Sequence, residues 1–165
     1  MGFSQLPDEL LLTLCEQWPC REQQVRQLSV LLHPTLPSPS TIVIYGPHAT
    51  GKSNVVKAYL EAKRLQYAIV QCRECVTGRH LLERTVAAVH AATSGADTSG
   101  ETGSYTGRCE NISALAVHLQ RVLQKQAKFV LVLDGIDKQR EAPPTLLPAL
   151  ARLGEIVSPH ASALV

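Results

Sequence analysis

The chain has 165 residues, enough for about one domain that buries roughly two-thirds of its unfolded surface. Hydrophobic residues make up 45% and charged residues 18%, a globular balance, while aromatics are only 4%, so the core must be aliphatic. Sixteen basic residues against fourteen acidic ones leave +2, too weak a field for nucleic-acid binding by general electrostatics. No basic-then-apolar leader opens the chain and no apolar run approaches the ~20 residues of a membrane span, so neither a signal peptide nor a membrane partner is expected.

In chain order, residues 5–17 read as a short apolar helix, with Pro7 near its start and Asp8 and Glu9 in its first turn. Trp18-Pro19-Cys20 breaks it. A second helix is expected over 21–32, with Val25, Leu28, Leu31 and Leu32 on one apolar face. A proline-rich link over 33–40 leads into residues 41–45, an apolar β-branched stretch that reads as a buried parallel strand. A helix begins at about Lys52, a second strand covers 67–72, and a helix covers 78–92. Residues 93–110 are rich in Ser, Gly and Thr and read as a flexible loop. Asn111 or Ser113 can cap the next helix, which carries Leu115, Val117, Leu119, Val122 and Leu123. Residues 129–133 form a third buried strand, Pro143 and Pro144 open a helix through Val157, and 161–165 looks like the start of a fourth strand, cut off. Strands alternating with helices predict a three-layer α/β fold with a parallel sheet and a ligand at the carboxyl ends of the strands.

The most informative motif is Gly46-Pro47-His48-Ala49-Thr50-Gly51-Lys52-Ser53, a complete G-x-x-x-x-G-K-[ST] phosphate loop set between a strand and a helix. Gly46 and Gly51 let the backbone wrap so that N–H groups point at a phosphate chain, and the helix N-terminus favours the same charge. Lys52 would reach the β- and γ-phosphates of ATP, and the Ser53 hydroxyl would ligate Mg²⁺. His48 is expected only to shape the loop. The strand over 129–133 followed by Asp134 has the form of a Walker B strand, whose carboxylate would hold Mg²⁺ through a water. The next position, which many hydrolysing ATPases fill with Glu, is Gly135, which has no acid–base chemistry. Asp137 has the wrong reach to replace it. The expected site binds ATP and hydrolyses it slowly or not at all.

These residues carry a family resemblance. The stretch through Gly46–Ser53 together with Asp134-Gly135-Ile136-Asp137 resembles the AAA+ initiator clade, where the second motif commonly reads Asp-Glu-Ile-Asp. Residues 19–28, with Arg21-Glu22, resemble that clade's box before the first strand, which helps form the adenine pocket. The Cys72-Arg73-Glu74-Cys75 segment and the Leu146-Leu147-Pro148 run narrow the resemblance to subunits of the eukaryotic origin recognition complex. The resemblance implies an ATP- and Mg²⁺-binding subunit of a nuclear ring that encircles origin DNA and loads the replicative helicase. Its partners would be the other subunits and, through the assembled complex, origin DNA. It also implies a RecA-like P-loop NTPase base subdomain. Residues 1–40 would be the N-terminal helices and linker of the AAA+ module. Residues 41–165 would be a partial nucleotide-binding subdomain, truncated before the helical lid. A fragment lacking the fourth strand, which in this family lies beside the first, would expose an apolar edge.

The remaining signals are weaker. The five cysteines, Cys15, Cys20, Cys72, Cys75 and Cys109, are an odd number and read as reduced thiols. Cys72 and Cys75 lack a second well-placed pair for zinc and read as an end-of-strand turn with one buried thiol. Arg21 is either a solvated helix-start residue or an adenine-pocket wall. Arg73, Arg79 and Arg84 read as a solvated helix face. Two other functions compete with the ATP-binding scaffold: an active AAA+ ATPase or small P-loop kinase, which Gly135 and the lack of a lid sequence oppose, and a structural domain with a relic site, which an intact Lys52, Ser53 and Asp134 oppose.

Overall fold

The computed structural model describes residues 8–33, 35–94, 108–124, 128–139, 141, 143–157 and 161–164. They pack as two compact units, one drawn from residues 1–38 and 46–65, the other from 39–45 and 66–165.

Among its described residues the first unit holds α1 (Asp8–Gln17), α2 (Glu22–Leu31) and α3 (Lys52–Ala62). The break after α1 is a tight turn in which Cys20 takes φ 65° and the Arg21 N–H donates to the Trp18 carbonyl at 3.2 Å. Leu14, Val25, Leu28, Leu32, Val55, Val56, Tyr59 and Leu60 are buried. Leu31, placed by spacing on the apolar face of α2, is exposed instead, because it sits at the edge of the stripe that Val25, Leu28 and Leu32 define. The Tyr59 hydroxyl donates to the Leu32 carbonyl at 3.4 Å, and burial pushes this phenol up to about 12.

The second unit is built on a parallel sheet in the order β1-β4-β3-β2, with β1 at Thr41–Ile42, β2 at Gln66–Gln71, β3 at Phe129–Asp134 and β4 at Ala161–Leu164. β2 and β3 pair along their whole length, from Gln66 opposite Phe129 to Gln71 opposite Asp134. Because side chains alternate along a strand, Ala68, Val70, Leu131 and Leu133 enter one core. That core is completed by α4 (Gly78–Ser94), α5 (Ile112–Leu123), α6 (Leu146–Ala151) and α7 (Leu153–Val157), which contribute Leu81, Val86, Leu115, Leu119, Leu150 and Val157. Of the two expected caps of α5, Asn111 is the one used, its Oδ1 accepting the Ala114 N–H at 2.8 Å.

Four expectations meet a different structure. The strand expected over 41–45 is two residues long, with Val43 66% and Tyr45 90% exposed. Among the described residues it pairs with β4, through Thr41 opposite Ala163 and Ile42 opposite Leu164, and the register partner of Val43 lies outside them. The fourth strand is present over Ala161–Leu164 and sits between β1 and β3, so both are paired there and the open edge expected from a cut-off strand does not arise along it. The single helix expected through Val157 starts at Leu146 and is divided at Arg152. The Thr41 hydroxyl donates to the Ala151 carbonyl, and the Glu155 N–H bonds Arg152 rather than continuing the α pattern. Of the segment over 93–110, Thr93 and Ser94 belong to α4, Cys109 is fully buried in the core, and residues 95–107 lie outside the described ones.

Two substitutions test this packing. A Cβ at Gly154 would lie 2.5 Å from the Ser40 carbonyl oxygen, a backbone atom that cannot rotate away. Gly154→Ala should therefore destabilise by about 1–3 kcal/mol, read as a lowered midpoint in chemical denaturation. Asn111→Ala removes the cap of α5 and should cost about 1 kcal/mol, whereas Asn111→Asp, which keeps an acceptor, should be close to neutral by the same measurement.

Candidate nucleotide-binding site

The phosphate loop belongs to the first unit. Gly46 takes φ 147° and Gly51 φ 77°, both in the region that favours glycine. Ala49 also takes φ 58°, a conformation that costs a non-glycine residue about 1 kcal/mol and is held only where the surroundings insist on it. The Thr50 hydroxyl closes the turn by donating to the Pro47 carbonyl at 2.9 Å. Gly51 is the N-cap of α3, and the first helical bond runs from the Val55 N–H to the Gly51 carbonyl at 2.9 Å. The N–H groups of Lys52, Ser53 and Asn54 therefore precede the helical ladder and have no acceptor within it. With the positive end of the helix dipole behind them, they are donors for an anion.

Lys52 bends back over the loop. Its Nζ donates to the Gly46 carbonyl at 3.0 Å and the Pro47 carbonyl at 2.6 Å, which stations a cation above the turn. Pro47, His48 and Ala49 are exposed, as is Ser53 at the start of α3. Arg21 is neither free in solvent nor remote: its Nη2 donates to the Thr50 carbonyl at 3.0 Å. Trp18 joins it, since a Cβ at Gly51 would lie 3.5 Å from the Trp18 ring. The segment before α2 thus braces the loop from behind. Trp18 was missed in the sequence, and its place directly before the Arg21-Glu22 box was the available signal.

Asp134 belongs to the second unit, at the carboxyl end of β3. Its Oδ2 accepts a hydrogen bond from the Gln71 Nε2 at 3.1 Å. Gln71 was also missed. It ends the apolar run of β2 as Asp134 ends that of β3, and the register pairs the two. Gly135 then takes φ 70° and ψ 37°, and the Lys138 N–H donates to its carbonyl at 3.0 Å, so the chain turns at once into a short 3-10 turn over Ile136–Lys138. Asp137 lies in that turn, exposed.

Cys72 opens a similar 3-10 turn after β2, and both Cys72 and Cys75 are buried, where one buried thiol was expected. Burial, then the neighbouring Cys75, Asp134 and Asp137, push the Cys72 thiol up to about 12. Burial raises Cys75 and Cys109 as well, and Arg84 partly opposes it at Cys75. These thiols are therefore held in the neutral, unreactive form. Arg79 and Arg84 do not present bare charge: Arg79 pairs with Glu83 at 2.9 Å and Arg84 with Glu74 at 2.8 Å.

The chemistry of these groups fits a magnesium nucleotide. Within the first unit the loop supplies backbone N–H donors and one ammonium for phosphates, and Ser53 a hydroxyl oxygen of the kind Mg²⁺ takes; within the second, Asp134 supplies a carboxylate of the same hard-oxygen class.

A family model for the AAA ATPase domain matches residues 17–164. Among curated proteins, human origin recognition complex subunit 5 is 31% identical over 154 residues, covering 88% of this chain and 34% of that protein. Subunit 5 of Schizosaccharomyces pombe is 29% identical, covering 93% of this chain and 31% of its own length, and that of Drosophila melanogaster is 23% identical, covering 86% and 30%. The chain thus spans about a third of the length of the curated relatives it matches. Among solved structures, the crystal structure of Cdc6p from Pyrobaculum aerophilum covers 96% of this chain with a TM-score of 0.60 at 15% identity, which shows a shared fold over 42% of that protein. With a glycine loop of this conformation, a parallel sheet in this order and similarity to subunit 5 of three origin recognition complexes, the chain belongs to the AAA ATPase domain family.

Proposed function

We propose that this protein is an ATP-binding subunit of the origin recognition complex, acting in the nucleus in the initiation of DNA replication and the loading of the helicase, with ATP held as a structural ligand. The observation that carries the nucleotide reading is the loop itself: Gly51 left-handed at the N-cap of α3, free N–H groups beyond it, and the Lys52 ammonium drawn over the turn. Lys52 would exchange its bonds to the Gly46 and Pro47 carbonyls for phosphate oxygens, a charge-assisted and stronger pairing. Ser53 would ligate Mg²⁺, and Asp134 would hold one of its waters. Arg21 would act on the nucleotide indirectly, by holding the Thr50 carbonyl of the loop. Membership of the complex, and through it contact with origin DNA, rests on the similarity to subunit 5.

The structural role of ATP rests on Gly135. Hydrolysis needs a group that takes a proton from the attacking water, and Gly135 offers none where the family commonly has Glu. Its backbone adds a second obstacle. At φ 70° a glutamate would be strained by about 1–2 kcal/mol, even though nothing stands within 4 Å of the position its Cβ would take. Either the turn changes or the side chain leaves in a direction set by a glycine conformation.

The purified chain, denatured and its released nucleotide separated by chromatography, should yield intact ATP, with no phosphate released over background in Mg²⁺. ADP with steady turnover would favour the active ATPase instead. Lys52→Ala should abolish nucleotide retention, a loss on the order of a hundredfold in affinity for a charge-assisted phosphate contact, with the unfolding midpoint of the nucleotide-free protein lowered by the equivalent of at most about 1 kcal/mol from the lost loop contacts. Gly135→Glu should lower that midpoint by an amount equivalent to about 1 kcal/mol and should not raise phosphate release; a clear gain in turnover would show that the missing carboxylate alone silences the site.

A further inference from the structure

We propose that Gln71 is the positioning residue for the metal-handling carboxylate, holding Asp134 in the orientation from which it receives Mg²⁺; this rests on the nucleotide reading above. The argument starts from register. Gln71 and Asp134 are the last of the pairs along the parallel β2–β3 ladder, and paired residues of neighbouring strands project to the same face of a sheet. Gln71 and Asp134 therefore stand side by side at the carboxyl ends of the strands, where this class of fold binds its ligands.

The chemistry of the pair gives the contact a direction. A carboxylate can only accept, so the amide must present its NH₂ group, and it does so at 3.1 Å from Oδ2. One lone pair of one oxygen is used. Oδ1 and the rest of Oδ2 keep their acceptor capacity for a metal-bound water. The bond, made by an exposed amide, biases the carboxylate about its last torsion and so lowers the freedom left to be lost when the metal arrives.

Gln71 is itself fixed. Immediately after it, Cys72 is fully buried and opens a 3-10 turn, and the Cys75 thiol donates to the Gln71 carbonyl at 3.7 Å. On the other side, Gly135, at φ 70°, takes the chain directly after Asp134 into the 3-10 turn over Ile136–Lys138. The backbone of each partner is thereby held by the ladder and by a turn, and the amide–carboxylate bond joins two anchored ends. Partners of direct metal ligands are worth about 10–100-fold in metal affinity; Gln71, acting through a carboxylate that would hold a metal-bound water, belongs at the lower end of that range.

The test is nucleotide affinity of the full chain measured twice, with Mg²⁺ and with EDTA, for the wild type, Gln71→Leu and Gln71→Asn, beside the unfolding midpoint without ligand. Gln71→Leu should lose about tenfold of the Mg²⁺-dependent gain in affinity while its affinity in EDTA and its midpoint stay at wild-type values. Gln71→Asn, which keeps the amide donor on a shorter stem, should recover part of that gain. An unchanged Mg²⁺ gain in the Leu variant overturns the proposal, and so does an equal loss in Mg²⁺ and EDTA, the mark of a merely structural residue. A wild type that binds no nucleotide overturns the ATP reading and this proposal with it, whereas normal wild-type binding beside an unaffected Leu variant overturns this proposal alone.

Discussion

The in-register parallel pairing of β2 with β3 is the constraint on which the second unit depends. Alternation along that ladder sends Ala68, Val70, Leu131 and Leu133 into a core shared with α4, α5, α6 and α7. The same alternation decides that Gln71 and Asp134 emerge together at its end. A slip of one residue would turn the apolar set out of the core and separate the polar pair, so hydrophobic burial fixes the geometry of a polar contact it does not touch. The buried thiols Cys72, Cys75 and Cys109 belong to this core as small apolar groups, and their suppressed ionisation is a consequence of that burial rather than a sign of redox chemistry.

In the first unit the corresponding constraint is backbone conformation. Positive φ at Gly46, Ala49 and Gly51 forces the chain into a turn whose amides lead into α3. Such a turn is held from outside: Arg21 bonds the Thr50 carbonyl, the Trp18 ring lies against Gly51, and Lys52 bonds two carbonyls of the loop. Arg21 bonds a carbonyl oxygen and Lys52 bonds two carbonyls and the Thr50 hydroxyl, while the N–H groups at the start of α3 precede its helical ladder. This division suits an anion-binding turn, since cationic side chains neutralise the carbonyl dipoles while the donors stay outward.

Much of this was legible in the sequence wherever the deciding physics is local. The start of α3 at Lys52, the start of α4 at Gly78, the Asn111 cap and the cores of β2 and β3 follow from glycine placement, capping chemistry and apolar runs. What was not legible depends on partners distant in the chain. The length of β1 is set by its pairing with β4, and the division between α6 and α7 goes with the hydroxyl of Thr41 claiming the Ala151 carbonyl, 110 residues away. Cys109 looked like part of a polar loop because neighbouring composition cannot report that a residue reaches a core. In the candidate site, the residue types of the loop could be read from the pattern, but the bracing contacts of Arg21, Trp18 and Gln71 could not, since each joins positions far apart in the sequence.

Binding and hydrolysis of a nucleotide make separable demands on such a fold. Binding needs donors and cations at the right places, and here these come from backbone conformation and from side chains anchored by it. Hydrolysis needs, in addition, one base aimed at one water, and that requirement falls on a single position after β3. At Gly135 the chain has a left-handed residue whose carbonyl accepts the Lys138 N–H. The residue that would carry the base is instead the hinge of a turn. A glycine at that point relaxes the turn and leaves Asp134 undisturbed beside Gln71. In the proposed reading, the left-handed conformation at Gly135 and the carboxylate it lacks both bear on hydrolysis, and neither touches the donors and cations of the phosphate loop.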